Sequence, residues 1–495
     1  MEKRSREQPG ERRLWNAGEA PSPGDPAAGN PPGPNPAPRN TADSSGRLGA
    51  APVGKLLLEF SIPAVVGMLV GTVYNIVDRI YVGQGVDPLG IAGITVAMPL
   101  MMLPMAFSML IGIGANSLFA IRLGEGRREE VEQIMGHAFA LLFLIPLASI
   151  LILLIFMDYI LLEFLDTSEA VFPYAKTYLT IILYGGVFSA MGPGINHFIR
   201  SDGRPRTSMF TQILGAGINI ILDPIFIFAF DWGIAGAAWA TIISQFASFL
   251  WVMFYWNSRW TRLRFRLRHM RPKLRLSLKI MAIGFAPFAM QIAMSFVSIL
   301  LNRSLFTYGG DIAVSAMGIV YSILMIVFTP LQGLNTGAQP IIGYNYGAKK
   351  YRRVRETYWF GVLIGTAVGV AGFIALQCFP GLFIRVFRNE EGELLDTGIR
   401  ALRISTLLLP VLGFQMITGN FFQSTGKALQ GTLLSLSRQI LFFIPLLMVL
   451  PRFFGITGVY TAMPAADFCS VLLSVLVMRR ELAKLRGLES GAPPA

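Results

Sequence analysis

Two aspartates stand in this chain where a carboxylate is energetically costly. The run GINIILDPIFIFAF, residues 217–230, is apolar enough to lie in a membrane, yet it carries Asp223 with Asn219 one helical turn earlier. A second carboxylate, Asp78, lies in the similarly apolar YNIVDRIYVGQ. Ionisable side chains within hydrocarbon are rare and mark ion or substrate pathways by default. Hard cations such as Na⁺ take oxygen ligands. A carboxylate removed from water also holds a proton more tightly, and a second carboxylate nearby strengthens that hold on one of the two. Buried aspartates with an amide beside them are therefore candidates for loading and releasing Na⁺ or H⁺.

Membrane helices must position these groups. Of 495 residues 53% are hydrophobic and only 14% charged, with a mean hydropathy of +0.55. That balance marks an all-α polytopic membrane protein. Runs of roughly 20 apolar residues, the length of one crossing, occur near 55–83, 90–121, 131–157, 171–200, 204–231, 233–258, 277–308, 311–346, 352–380, 395–424, 427–451 and 454–479. Glycine and proline interrupt several of them, notably GGVFSAMGPG at 185–194, which favours bent helices lining a cavity over straight anchors.

The loops alternate in charge. One set holds Arg122, Arg127 and Arg128, then Arg204 and Arg206, then Lys349, Lys350, Arg352 and Arg353, and the linker SRWTRLRFRLRHMRPKLRL. The other set holds Asp87, then Asp158, Glu163, Asp166 and Glu169, then Asp311, and EEGELLD at 390–396, although Arg385 and Arg388 flank that last run. The positive-inside rule then places both termini in the cytoplasm, and the expected location is a cell's plasma membrane. The net charge of +13 reads as topology and contact with anionic lipid rather than nucleic-acid binding. Residues 1–53, rich in Pro, Gly, Asn and Arg, read as a disordered tail, and MEKRSREQPGERRLW has no apolar core for a cleavable signal.

The chain repeats itself. GANSLFAIRLG at 114–124 aligns without gaps on GAQPIIGYNYG at 337–347, a shift of 223, and IRSDGR at 199–204 aligns on FQSTGK at 422–427 at the same shift. WGIAGAAWA at 232–240 aligns on FGITGVYTA at 454–462 at 222, and IPAV at 62–65 on APFA at 286–289 at 224. A near-constant offset indicates duplication. The expected organisation is an N-lobe of six helices (54–258), a basic linker (259–276), a C-lobe of six helices (277–480) and a short tail (481–495). An even number of helices per half makes the repeats parallel, with a cleft between pseudo-symmetric lobes.

The duplication separates scaffold from function. Asp78 corresponds to Asn302, and Asp223 falls against Ile444 or Pro445, so only the N-terminal half carries these carboxylates. Counting from helix ends at 1.5 Å per residue puts Asp78 and Tyr178 about 9 Å, and Asp223 and Thr241 about 12 Å, below one face of the membrane. Asn219 stacks on Asp223 at i, i+4. In the C-terminal half, Arg438 and Asp467 lie at equal depth on adjacent helices and suggest a structural ion pair. His137 and His197 read as polar packing residues, Cys378 and Cys469 as small buried hydrophobes, and Arg303 as a snorkelling side chain. Methionines such as Met98, Met101, Met102, Met105, Met109, Met281, Met290 and Met294 suggest a soft, adaptable wall for flat apolar compounds.

IPAVVGMLVGTVYNIVDRIYVGQ, GANSLFAIRLG with GAQPIIGYNYG, and INIILDPIFIF followed by GIAGAAWATIISQ together resemble the multidrug and toxic compound extrusion (MATE) family, most closely its bacterial MepA-type branch, over about residues 54–480. That resemblance implies twelve helices in two six-helix lobes and export of organic cations by Na⁺ or H⁺ antiport. It also implies a cation site at Asp78, Asn219, Asp223 and Thr241, supported by Tyr74, Tyr178 and Asn196. Asn196 fits less well, because counting puts it toward the opposite end of its helix. Another branch uses carboxylates on helices 7 and 10, which this sequence lacks in those helix cores. The expectation is a monomeric antiporter of amphipathic cations, not an enzyme, without cofactor or metal beyond the coupling ion, and with membrane lipid and small molecules as partners. Rival readings are a flippase for lipid-linked oligosaccharide and a non-transporting receptor or scaffold.

Overall fold

The computed structural model describes residues 46–261, 263, 265, 267–271, 273–387 and 392–490. The terminal segments 1–45 and 491–495, the linker residues Arg262, Arg264, Arg266 and Pro272, and the loop residues 388–391 lie outside the described residues. Among those described, nine helices are long and apolar enough to cross a membrane. The first six are α1 (Val53–Gly85), α2 (Pro88–Gly124), α3 (Arg128–Ile155), α4 (Phe172–Ser201), α5 (Pro205–Ala229) and α6 (Gly233–Asn257).

Two of the nine are too long for one crossing. The 74 residues of Leu274–Gly347 would run roughly 110 Å, against a hydrocarbon core of about 30 Å. The helix breaks at Gly310, whose φ of 64° and ψ of −164° are not helical. Leu301 and Leu305 before the break share one core cluster with Ala313 and Met317 after it, so the two arms, α7 (274–309) and α8 (311–347), fold back on each other. Then follow α9 (Tyr351–Cys378) and α10, a pair Glu393–Ser405 and Leu409–Ser424 bent by 50°. The last long element, Ala428–Glu489, breaks at Gly455 into α11 (428–454) and α12 (456–489), with Ser437 facing Ser470 across the hairpin at 3.2 Å. The described residues thus make twelve crossings.

The repeat is written into the backbone. Gly203 and Gly426, equivalent by the shift of 223, have φ of 88° and 74°. Gly233 and Gly455, equivalent at 222, have φ of 51° and 56°. Such left-handed turns favour glycine, so each half ends its fourth and fifth helices with the same device.

Packing tells the two ends of the molecule apart. At the end carrying the basic loops, the first helix of each half crosses into the other half. Leu56, Leu57 and Phe60 of α1 belong to a cluster with Leu334, Ile341, Tyr358 and Phe421. Ile280 and Ile283 of α7 belong to a cluster with Ile111, Phe119, Phe198 and Tyr255. At the opposite end the clusters separate, one drawing only on residues 97–242 and the other only on residues 297–466. The halves are locked together on the basic side and parted on the other, leaving a cleft open toward the acidic loops.

The lock sits where α2 meets α8. A side chain on Gly124 would overlap the carbonyl oxygen of Tyr344, and one on Gly347 would overlap that of Ile121. These are equivalent contacts, since 124 and 121 become 347 and 344 under the repeat. Beside them Asn116 Nδ2 donates to Gln339 Oε1 at 3.1 Å, and Gln339 Nε2 donates to Ser117 Oγ at 3.1 Å. Asn116 and Gln339 are themselves equivalent residues, so the bond lies on the pseudo-twofold axis.

Both expected tails are shorter than composition suggested. Leu48 is fully buried in the cluster that receives α1. Its carbonyl accepts from Asn345 Nδ2 at 2.9 Å, and Arg353 donates to the carbonyl of Ala51 at 2.5 Å. α12 continues past 480 to Glu489, held by Lys427–Glu481 and by Arg355–Glu489 at 3.0 Å. The basic linker is not merely an exposed charge signal. Phe265 packs on Phe139 at 4.7 Å, and the Lys273 amide donates to His137 Nε2 at 2.9 Å. His197, partly buried beside Arg200, is also a packing residue.

Leucine at Gly124 or Gly347 should overpack the lock by about 1–3 kcal/mol. Leucine at Gly71, with open space around its Cα, should be tolerated. Thermal stability in detergent, followed by size-exclusion chromatography, checks this; G347L as stable as G71L would mean the contact is not tight.

Candidate cation site

Residues from four helices of the N-terminal half converge about 10 Å from the acidic end, judged from the helix ends. On α1, Tyr74 and Asp78 are four apart and share a face. On α5, Asn219 and Asp223 repeat that spacing, and both are fully buried. Asn219 Nδ2 donates to Asp223 Oδ1 at 3.3 Å. Asp78 of α1 and Asp223 of α5 lie close enough for each to feel the other's charge. Tyr74 lies beside Thr241 of α6, and Tyr178 of α4 lies within electrostatic range of Asp78, Tyr74 and Asp223. Tyr178 and Thr241 are 6% and 8% exposed and Asn219 and Asp223 fully buried, whereas Asp78 is half-buried, so the cluster is most exposed on the α1 side.

Local structure explains the presentation. Pro224 follows Asp223 and has no amide proton for the helix ladder. The next turn, Ile225–Ala229, widens into a π-helix, a feature that recurs at functional sites. α1 runs close to α5 there, with Gly67 against the Gln212 amide and Gly85 against Ile227 and Phe228.

The donor set suits a small hard cation or a proton. Asn219 Oδ1 and Asp223 Oδ2 are buried without a hydrogen-bond partner, and unpaired buried acceptors are costly. A proton shared by the carboxyls satisfies one of them. A monovalent cation accepts both, with further oxygens available from Asp78, Tyr74 and Thr241. Among the described residues, no group of three or more His, Cys, Asp or Glu is placed to hold a transition metal.

Asn196 does not join this group. It sits 18 residues beyond Tyr178 on the same helix, about 27 Å along the axis. There it donates through Nδ2 to the Ser208 carbonyl at 3.1 Å and accepts from Thr211 Oγ1 at 3.1 Å. It clamps α4 to the start of α5 near the basic end, so its place is structural. Arg438 and Asp467 do meet, Nε to Oδ1 at 2.6 Å, between α11 and α12 of the other half.

The axial pair Asn116–Gln339 is an interhelical contact that sequence reading passed over. Its signal was present, since the two mirrored blocks GANS and GAQP each carry a polar residue at the same place in an apolar context.

With the geometry in hand, known proteins show the same design. The MatE family model matches residues 63–225 and again residues 287–449, a shift of 224 that restates the duplication. Multidrug export protein MepA of Staphylococcus aureus (strain NCTC 8325 / PS 47) is 27% identical over 435 residues, covering 86% of this chain and 94% of that protein. MepA of Staphylococcus haemolyticus (strain JCSC1435) is 28% identical over 426 residues, covering 86% and 93%. A solved outward-facing structure of a multidrug resistance MATE family transporter of the MOP superfamily superposes with a TM-score of 0.83 at 24% identity, over 90% of this chain and 99% of that one. Matched in both halves by one family model, and folded into the two lobes of these transporters, the chain belongs to the MatE family.

Proposed function

We propose that this protein exports amphipathic organic cations in exchange for Na⁺ or H⁺, by alternating exposure of the cleft between its lobes. The observation that carries this reading is the convergence of Asp78, Asn219, Asp223, Thr241, Tyr74 and Tyr178, with two buried oxygens lacking any partner. The name of the MepA relatives, multidrug export proteins, supports the class of cargo. The exposed methionines of α2 and α7, Met98, Met102, Met105 and Met294, supply a pliable apolar surface for flat ligands.

The proposed cycle follows from electrostatics. With both carboxylates charged, the cleft attracts a cationic amphiphile. A coupling ion entering from the acidic side neutralises the cluster and removes that attraction, so the drug leaves. The neutral cluster tolerates exclusion of water, α1 shifts against α5, and the lock at Gly124 and Gly347 parts to open the basic side. Such a cycle couples drug and ion only because each binds the two arrangements differently. In this reading the basic side is cytoplasmic, both termini lie there, and the membrane is the plasma membrane.

Asp78→Asn and Asp223→Asn keep shape and remove the ionisable group. Each should lower dye efflux at least about tenfold, the scale of losing one charged hydrogen bond, with expression unchanged. Full efflux in either variant would overturn the coupling role. In proteoliposomes loaded with a fluorescent cation, an imposed Na⁺ or H⁺ gradient should drive transport, and the effective gradient names the ion; drive by neither would refute antiport. Single cysteines at Arg128 and Asp166, in a background lacking Cys378 and Cys469, should label with an impermeant maleimide from the inside and the outside respectively. The reverse pattern would invert the topology.

A further inference from the structure

We infer that Arg438, held by Asp467, forms a second substrate contact in the C-terminal lobe, taking the anionic group of a substrate that carries both charges. The inference rests on the export reading above and adds to it the kind of molecule exported.

The pair is placed at the middle of the membrane. Arg438 lies ten residues from the start of α11 and Asp467 twelve from Gly455, about 15 and 18 Å from the helix ends. Central sites between repeats are where transporters of this build bind substrate. The N-terminal half puts Gly215 and Gln245 at the equivalent positions, so the repeated scaffold does not require these charges.

The two partners are unequally buried. The Asp467 side chain is 3% exposed and that of Arg438 is 15% exposed. Only Nε of the guanidinium is used, in the 2.6 Å bond to Asp467. Among the described residues its two amino groups make no hydrogen bond, yet they are not sealed from solvent as the buried atoms of Asn219 and Asp223 are. An arginine in hydrocarbon turns to a water-filled cavity rather than lipid, and the neighbours of Arg438 agree. Its guanidinium lies 5.9 Å from the ring of Phe328. Phe328 belongs to a stripe on α8 with Tyr321, Met325 and Gln332, the last of these exposed next to Gly333, which packs on Val65 of α1. Through Gly333 the stripe continues into the contact between α8 and α1 of the other half.

The arginine is also held in place. α11 widens into a π-helix over Ser437–Phe443, starting beside Arg438. Ser437 and Ser470 fix the two helices at 3.2 Å, and Gln415 of α10 donates to Ser470. A guanidinium with one edge occupied and the other presented is a preorganised fork for a carboxylate. Carboxylates in one lobe and a guanidinium in the other, at different depths, fit a molecule bearing an ammonium at one end and a carboxylate at the other.

Tetramethylrhodamine, a zwitterion with its free carboxylate, and its methyl ester, a cation, differ at one group. Their binding to the purified full-length protein is measured by fluorescence polarisation. Arg438→Gln alone would strand Asp467, so the principal variant is R438Q/D467N, a neutral pair of similar shape. It should weaken binding of the free acid by about tenfold or more and leave the ester within about twofold. Arg438→Lys, which keeps the charge but not the fork, should recover part of the loss. Equal weakening for both dyes assigns the pair to structure alone and overturns the inference, as does unchanged binding of the free acid. Wild-type protein that binds the ester but not the free acid overturns the inference and leaves cation export standing. Binding of neither dye counts against the export reading itself and removes the inference with it.

Discussion

The architecture depends on one close approach, that of α2 to α8 at the basic end. Backbone carbonyls of Ile121 and Tyr344 occupy the space where Gly347 and Gly124 would carry side chains. Between parallel repeats, a contact on the axis must be made by the same residues twice, so both halves need the glycine. In hydrocarbon there is little hydrophobic drive between helices, and packing of small residues with interhelical hydrogen bonds carries association instead. Asn116, Gln339 and Ser117 supply those bonds beside the glycines. With the two central helices held this closely, α1 and α7 cannot stay within their own halves at that end. They cross, and the cleft is left to open at the other.

A duplicated protein carries its own control. Most of the fold, down to the φ angles of Gly203 and Gly426, is shared by the two halves. The polar groups of the two proposed sites are not. Asp78 faces Asn302 in the alignment, Tyr178 faces Ala401 and Thr241 faces Met463, while Arg438 and Asp467 face Gly215 and Gln245. A charge in the membrane is unfavourable unless paired or hydrated, so a group present in one half and absent from its twin is not maintained by the demands of folding. Each lobe therefore holds one electrostatic feature of its own, acidic and nearer the open end in the first, basic-faced and central in the second.

Much of this was legible beforehand because it follows from periodicity and loop charge. The spans, the repeat and the shared level of Asp78, Asp223, Thr241 and Tyr178 all come from counting along helices of fixed rise. What counting missed was lateral. The crossing of α1 and α7 depends on which neighbour a face meets, and a span apolar on nearly every side does not declare it. Asn196 has the polarity of a site residue, and only its hydrogen bonds to Ser208 and Thr211 show that it clamps the far end. Leu48 sits in a segment whose composition argues for disorder, but one leucine and three backbone carbonyls suffice to dock it against Asn345, Lys350 and Arg353. Composition averages over such local anchors.

The position of α1 links the proposed ion site to the lock. Toward the open end it carries Tyr74 and Asp78 and lies against α5 of its own half. Toward the basic end Ser61 and Val65 pack on Gly337 and Gly333 of the other half. Pro63 lies within that second contact, and Gly67 and Gly71 follow it, so the stretch between the two engagements has a missing helix hydrogen bond and two residues without side chains. A helix gripped at both ends and weak in the middle has two ways to respond when Asp78 changes charge. It can bend at that stretch, or it can carry the change as a rigid lever into the lock. Either way the ion does work only through the difference in its affinity for the two arrangements. In the proposed cycle the cluster would supply that difference, because Asp223 and Asn219 are fully buried whereas Asp78, on α1, is only half-buried. Displacing α1 would separate the two carboxylates and dismantle the oxygen set that favours the cation.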